Sequence, residues 1–304
     1  MSAQPTVIRP GASSANDAAG ASAAVRATAA GRPGPATVDR PSHVQNTAHE
    51  RQWSTAWLGW LPPLLLLGIL ETASRLGWVP SHLLPAPSEL ATTLWHLGSE
   101  TVATHVLAST ARVFTGFAIG SSLALLVGAA VGLKRPLEHL LDPSFQALRA
   151  IPSLAWVPLL LLWLGIDESP KIVLIAIGAF FPVYLGVSAG LRDVDRKLVE
   201  VARMAGLSSA ALARRVLLPA ALPSIMTGVR NGLSLAWMFM VAAELIAATK
   251  GLGYLLTDGR ETGRADLVLS AIVLLAVLGK LSDSVLHWWE KRLLAWRDTF
   301  ESQR

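Results

Sequence analysis

The sequence predicts an all-α integral membrane protein of about six transmembrane helices, preceded by a disordered tail. Three observations lead there. The 304 residues are 52% hydrophobic and only 15% charged, with a mean hydropathy of +0.46, too apolar for an ordinary soluble domain. About six apolar runs each approach the ~20 residues that carry a helix across a bilayer. The basic residues collect in the short segments between those runs, so the positive-inside bias accounts for the formal charge of +5 and no nucleic-acid partner is expected. The chain has no cysteine, which excludes disulfides, thiolate metal sites and cysteine nucleophiles.

Residues 1–52 are rich in Ala, Gly, Ser, Pro and Thr and show no apolar period, so they read as a disordered tail without the apolar core of a secretory signal. The membrane domain is expected over 53–297, with a short tail over 298–304. Its first span runs from about Trp57 to Leu76, with Trp57, Trp60 and Trp78 as interface anchors. A Pro-punctuated stretch then leads into a short helix around Glu89 to Leu97. The second span covers about Val106 to Leu133, the third about Asp142 to Leu164 with Pro152 and Pro158 inside it, and the fourth about Pro170 to Leu191. The fifth covers about Leu222 to Ala248 and the sixth about Asp266 to Trp288. Basic residues at Lys134, Arg135, Arg149, Arg192 to Arg215 and Lys291 to Arg297 place those loops and both termini in the cytoplasm, leaving Lys171, Lys250, Arg260 and Arg264 outside.

The longest hydrophilic interruption, 192–219, divides into two short helices. Asp193 or Asp195 can cap the first, which puts Leu198, Val201, Ala202 and Ala205 on one face. Gly206 supplies a reversal, by a left-handed or a tightly packed backbone. Ser208 or Ser209 can cap a second helix through Val216, which ends before Pro219. A hairpin of this kind is a rigid knob, better suited to docking than to catalysis.

The spacing of Glu200, Val201, Ala202, Gly206, Val216, Leu218 and Pro219 resembles the EAA loop of the membrane subunits of binding-protein-dependent ABC importers, with Val201 where that pattern has its first alanine. Further strings (LPAPSEL, STARVFTGFAIG, RAIPSLAWVPLLLLWLGIDESPKI, LPSIMTGVRNG, AELIAATKGLGYLL, LGKLSD) resemble the subgroup that imports aliphatic sulfonates, taurine or nitrate, the sulfonate members most closely. The likeness spans about Leu58 to Arg297. It implies an inner-membrane type I importer permease, a homodimer that alternates access, two ATPase subunits docked on the knob, and a periplasmic binding protein. It also implies no cofactor in this chain, ATP and Mg being bound by the ATPase. Rival classes are a membrane-embedded enzyme and a non-transporting membrane scaffold.

No G-x-x-x-x-G-K-[ST] occurs, so the chain lacks a P-loop for nucleotide. Gly186 to Gly190 is formally G-x-S-x-G, but it lies in an apolar helix rather than a strand-turn-helix elbow. His49-Glu50 begins a zincin-like motif with no second histidine in place. Charges at span positions are costly and mark candidates for a pathway or gate: Arg112, Arg230 with Asn231, and Glu244. Pairing with each other or snorkelling to an interface is the competing reading, and Lys280 and Asp283, three apart, can pair locally. Glycines four apart (116/120, 128/132, 186/190, 228/232) allow close helix packing, within the bundle or between copies.

Overall fold

A computed structural model of the protein describes residues 61–78, 80 and 82–296. The expected tails and the anchors Trp57 and Trp60 lie outside these. The described residues are helical: α1 Leu61–Arg75, α2 Pro87–Leu97, α3 Ser99–Leu133, α4 Arg135–Ala150, and a 3-10 turn Ser153–Trp156 leading into α5 Val157–Leu164. There follow α6 Glu168–Arg192, α7 Arg196–Met204, α8 Ser209–Leu212, a π-helical turn Ala213–Leu217, α9 Leu218–Ala247, α10 Leu252–Glu261 and α11 Ala265–Leu293.

Among the described residues, four helices are long and apolar enough to cross a bilayer: α3, α6, α9 with its α8 extension, and α11. The bent pair α4 and Ser153–Leu164 is a fifth if its two halves are taken as one broken span rather than a re-entrant loop. The span expected first is described only from Leu61, as α1.

Four expectations are corrected. The third span is not straight but bends by 86° between Ala150 and Ser153. Pro152 has no N–H to donate and pushes Ile151 into an extended conformation (φ −77°, ψ 122°), which ends the helix there. The second span begins at Ser99 rather than Val106, and its 35 residues rise ~52 Å, well beyond a ~30 Å hydrocarbon core. The second knob helix does not stop before Pro219: it passes through the π-helical turn straight into α9, and Pro219 sits in the first turn of that helix. The outer segment around Lys250 to Arg264, read as loop, contains α10.

Helix α6 is the axis of the bundle, packed along α3 on one side and α9 on the other. Toward its Glu168 end, Leu174, Ile175 and Ala179 meet Val113 of α3 and Ala236 and Met240 of α9. Toward its Arg192 end, Val183, Tyr184, Val187 and Leu191 meet Ala124 and Val131 of α3 and Ala221 and Ile225 of α9. The spaced glycines do their packing inside the bundle. A Cβ on Gly186 would stand 2.8 Å from the Gly228 Cα and from the Ser224 carbonyl, so α6 and α9 touch backbone to backbone there.

Candidate functional site

Two features stand out, a knob at the Arg192 end of the bundle and a groove beside α6. In the knob, Asp195 caps α7 by accepting the Lys197 N–H at 2.9 Å, and Ser208 caps α8 by accepting the Ala211 N–H at 3.4 Å. Between them Gly206 has φ +77°. Its N–H donates to the Arg203 carbonyl at 2.9 Å and the Leu207 N–H to the Ala202 carbonyl at 3.2 Å, the paired bonds of a Schellman stop. A Cβ at Gly206 would meet nothing within 4 Å, so the left-handed backbone, not tight packing, is what calls for glycine.

The expected apolar face of α7 does not fold back on the bundle. Only Ala202 is buried; Leu198, Val201 and Met204 are exposed, Met204 to 89%. Glu200 is exposed and bound only to Arg196 one turn earlier, at 2.8 Å. Val216 is half-buried, and Leu218 and Pro219 are exposed at the knob's root. The knob thus presents an apolar stripe with a carboxylate beside it and nothing of its own chain covering either among the described residues. Met204 was missed from sequence, although it follows Val201 by the three residues that continue the stripe.

The groove, about 650 Å³, is open along one side of α6 and α9 and closed at one edge by the end of α4. Its apolar walls include Phe181, Leu185, Leu235 and Phe239, and its polar groups are Arg149, Ser153, Ser224, Thr227, Asn231 and Ser234. Thr227 and Ser234 donate their hydroxyls to the Pro223 and Arg230 carbonyls of their own helix. Arg149, Ser153, Ser224 and Asn231 keep donors that no described residue accepts. Arg149 is exposed and has no carboxylate within ion-pair distance among the described residues, as is also true of Arg135, Arg203, Arg214, Arg215, Arg260 and Arg292. Sequence reasoning placed Arg149 in a loop; the bend at Pro152 sets it on the groove instead. Ser153–Leu164 rises roughly 18 Å, shorter than a ~30 Å hydrocarbon core.

Of the four charged or polar pathway candidates, Asn231 alone lines this groove. Arg230 turns away to α11, with Nη2 3.0 Å from Glu290 and Nε 3.1 Å from Asp283, both of them ion contacts. Asp283 therefore pairs across helices, and the local Lys280–Asp283 pair is not formed. Arg112 and Glu244 bind each other in the interior at the Glu168 end, 2.6 Å apart and 4% and 0% exposed. Arg112 also donates to Glu168 at 2.7 Å and to the Lys250 carbonyl at 2.7 Å. Glu244 further accepts from the Ser109 hydroxyl at 2.8 Å and the Gly253 N–H at 2.8 Å. Ser109 in turn accepts the Leu252 N–H at 2.8 Å, and His105 Nδ1 accepts the Gly251 N–H at 2.9 Å. This cluster joins α3, α6, α9 and the start of α10. Ser188, the serine of the G-x-S-x-G string, is buried inside α6.

A bundle of apolar spans with an open, polar-lined groove on one side and a bare helical knob at one end has the build of a multi-pass membrane permease. Residues 116–295 match the family described as the binding-protein-dependent transport system inner membrane component. A putative aliphatic sulfonates transport permease protein of Escherichia coli (strain K12) is 43% identical over 251 residues, 82% of this chain and 95% of that protein. The taurine transport system permease protein of the same organism is 34% identical over 238 residues, 76% of this chain and 86% of that one. Among solved structures, a chain of the MetNI methionine ABC transporter in an inward-facing conformation shares the fold, with TM-score 0.57 at 22% identity, over 64% of this chain and 97% of that one. The chain belongs to the binding-protein-dependent transport system inner membrane component family. It is the non-catalytic membrane component of an ABC importer, and ATP is bound by a separate ATPase.

Proposed function

We propose that this permease passes a small organic anion, an alkanesulfonate before taurine or nitrate, through the groove between α6 and α9. The observation that carries the reading is Arg149, a guanidinium with no carboxylate partner among the described residues, lining a groove that offers both hydroxyl or amide donors and apolar side chains. A fixed cation beside donors from Asn231, Ser153 and Ser224 suits a sulfonate head, and Phe181, Leu185 and Leu235 suit an alkyl chain. The 43% identity to a permease named for aliphatic sulfonates supports the same class. A second copy of the chain covers the open side of the groove, and a binding protein delivers the anion at the Glu168 end.

Two ATPase subunits dock on the knobs, through the exposed stripe Leu198, Val201 and Met204 with Glu200 at its edge and Gly206 setting the hairpin. Ala202 packs the knob internally, while Val216, Leu218 and Pro219 form its root. The knob and both termini face the cytoplasm, a reading the basic residues around the knob support, and the membrane is the bacterial inner membrane. Neither a scaffold nor a membrane enzyme needs an open groove lined by a cation that has no carboxylate partner among the described residues.

The test is uptake into proteoliposomes holding the permease, its ATPase and its loaded binding protein, offered ethanesulfonate, taurine, nitrate and bicarbonate separately. Arg149→Gln keeps length and polarity but removes the charge; losing one charge-assisted contact of about 1.5–3 kcal/mol should slow ethanesulfonate uptake by roughly 10- to 100-fold. Uptake of ethanesulfonate no faster than leakage in the wild type, or an Arg149→Gln rate equal to wild type, would count against the assignment.

A further inference from the structure

The root of the knob is fastened to a helix that ends at the groove. Arg192, the last residue of α6, donates from Nη1 to Glu138 of α4 at 2.6 Å, and the same nitrogen lies 3.7 Å from Asp142. Asp142 accepts the Tyr184 hydroxyl at 2.8 Å and the Gln146 amide at 2.9 Å. One turn on, the Phe145 ring lies 4.9 Å from Tyr184 and 5.6 Å from Phe180. Glu138, Asp142 and Phe145 follow one another at helical spacing, so a single stripe of α4 is bound along the Arg192 half of α6. The next turn of that helix brings Arg149 to the groove, roughly 16 Å from Glu138 by helical rise. Helix α4 runs unbroken through Pro143 to Ala150, and the chain bends only after it. Asp193, the residue after Arg192, already belongs to the link into the knob.

We infer that Arg192 is a positioning residue for transport: by holding Glu138 and Asp142 it makes α4 a rod that carries displacement of the knob's root to Arg149 and the Pro152 bend. The inference rests on the docking and groove reading given above. Without this tie the knob's displacement reaches Arg149 only in part, through the apolar contacts of α4, so less anion moves for each ATP hydrolysed. The tie is placed for transmission rather than for holding the bundle together, since the apolar contacts of Leu137, Leu141 and Phe145 with the Val187 and Leu191 cluster remain without it.

The absence of cysteine allows a reversible test. The pair Glu138→Cys and Arg192→Cys removes the ion pair, and a short reducible bis-methanethiosulfonate joined in the purified chain restores a bond at the same place. Both forms are then assembled with ATPase and loaded binding protein in proteoliposomes, and anion uptake is divided by ATP hydrolysed. The unlinked form should move about three- to tenfold less anion per ATP, the size seen for interior links of coupled networks, with ATPase co-purification and basal hydrolysis unchanged. Linking should return the ratio toward wild type, and reduction of the linker should lower it again. An unlinked form with the wild-type ratio, or a linked form no better than the unlinked one, overturns the inference. The wild-type arm separates the two claims, because failure to import any of the four anions there sinks the functional reading, whereas normal wild-type uptake with indifferent variants sinks only the rod.

Discussion

Replacing Arg112 by Met tests whether the interior cluster at the Glu168 end is structural. The substitution keeps an unbranched chain of similar reach and removes a guanidinium that is 4% exposed and bound to a Glu244 that is fully enclosed. Breaking one side of a buried pair costs about 3–5 kcal/mol, because the remaining charge has no water to turn to. Glu168 adds little to that figure, since it is 45% exposed and water replaces the lost partner. Against a total stability of ~5–15 kcal/mol the loss is large. If the 2–4 °C per kcal/mol typical of folded domains of this size applies, the midpoint of thermal unfolding in detergent falls by roughly 6–20 °C. Glu244→Gln should be milder, because the amide oxygen still accepts from Ser109 or Gly253, and Arg112 keeps Glu168 and the Lys250 carbonyl. The measurement is a thermal melt of the purified chain, followed by uptake at a temperature where each variant is folded. An Arg112→Met protein as stable as wild type but unable to import would refute the structural assignment and return Arg112 to the pathway.

Gly206→Val should leave insertion near normal, because the side chain meets open space, yet strain the φ +77° turn by ~1–3 kcal/mol. The expected readout is loss of hydrolysis stimulated by loaded binding protein, and full stimulation would show that the hairpin's shape does not matter for docking. Topology can be read with an impermeant thiol reagent on single cysteines in this cysteine-free chain. Ser169→Cys should react from outside intact cells and Ser208→Cys should not; the opposite pattern would invert the bundle.

The knob was legible from sequence because everything that shapes it is local. Asp195, Gly206 and Ser208 act on backbone groups within three residues, so their spacing alone writes the hairpin. The long apolar runs were legible for the same reason. What was not legible depends on direction or on distant partners. Hydropathy sums along a window and carries no angle, so the Asp142 to Leu164 stretch read as one span although Pro152 turns it by 86°. Helix α10 looked like loop because its start is fixed by side chains outside it, Ser109, 143 residues from Leu252, and Glu244, nine residues from Gly253. Asp283 has Lys280 as its nearest cation by spacing but finds Arg230 on another helix. Arg149 was counted with the loop charges because positive-inside reasoning sees only order along the chain, whereas a bend can fold a residue near a span end back onto a groove.

The two charge clusters at opposite ends of α6 are built differently, and the difference bears on which parts can move. At the Glu168 end, Arg112 and Glu244 are almost wholly enclosed, and separating them costs about 3–5 kcal/mol. At the knob end, Arg192 and Glu138 are 30% and 29% exposed, so water can take over from either, and such pairs are worth closer to ~1 kcal/mol. Driving a two-state change from one part in a hundred to ninety-nine takes roughly 5.5 kcal/mol of differential binding. Opening the Glu168 cluster in each cycle would consume most of that, whereas the knob-end pair can stay closed and move with α4, leaving nearly all of it for the groove. The far ends of α3, α6 and α9 should therefore travel as one body, with α10 attached, while rearrangement falls at the Pro152 bend, the π-helical turn below α9 and the open face of the groove.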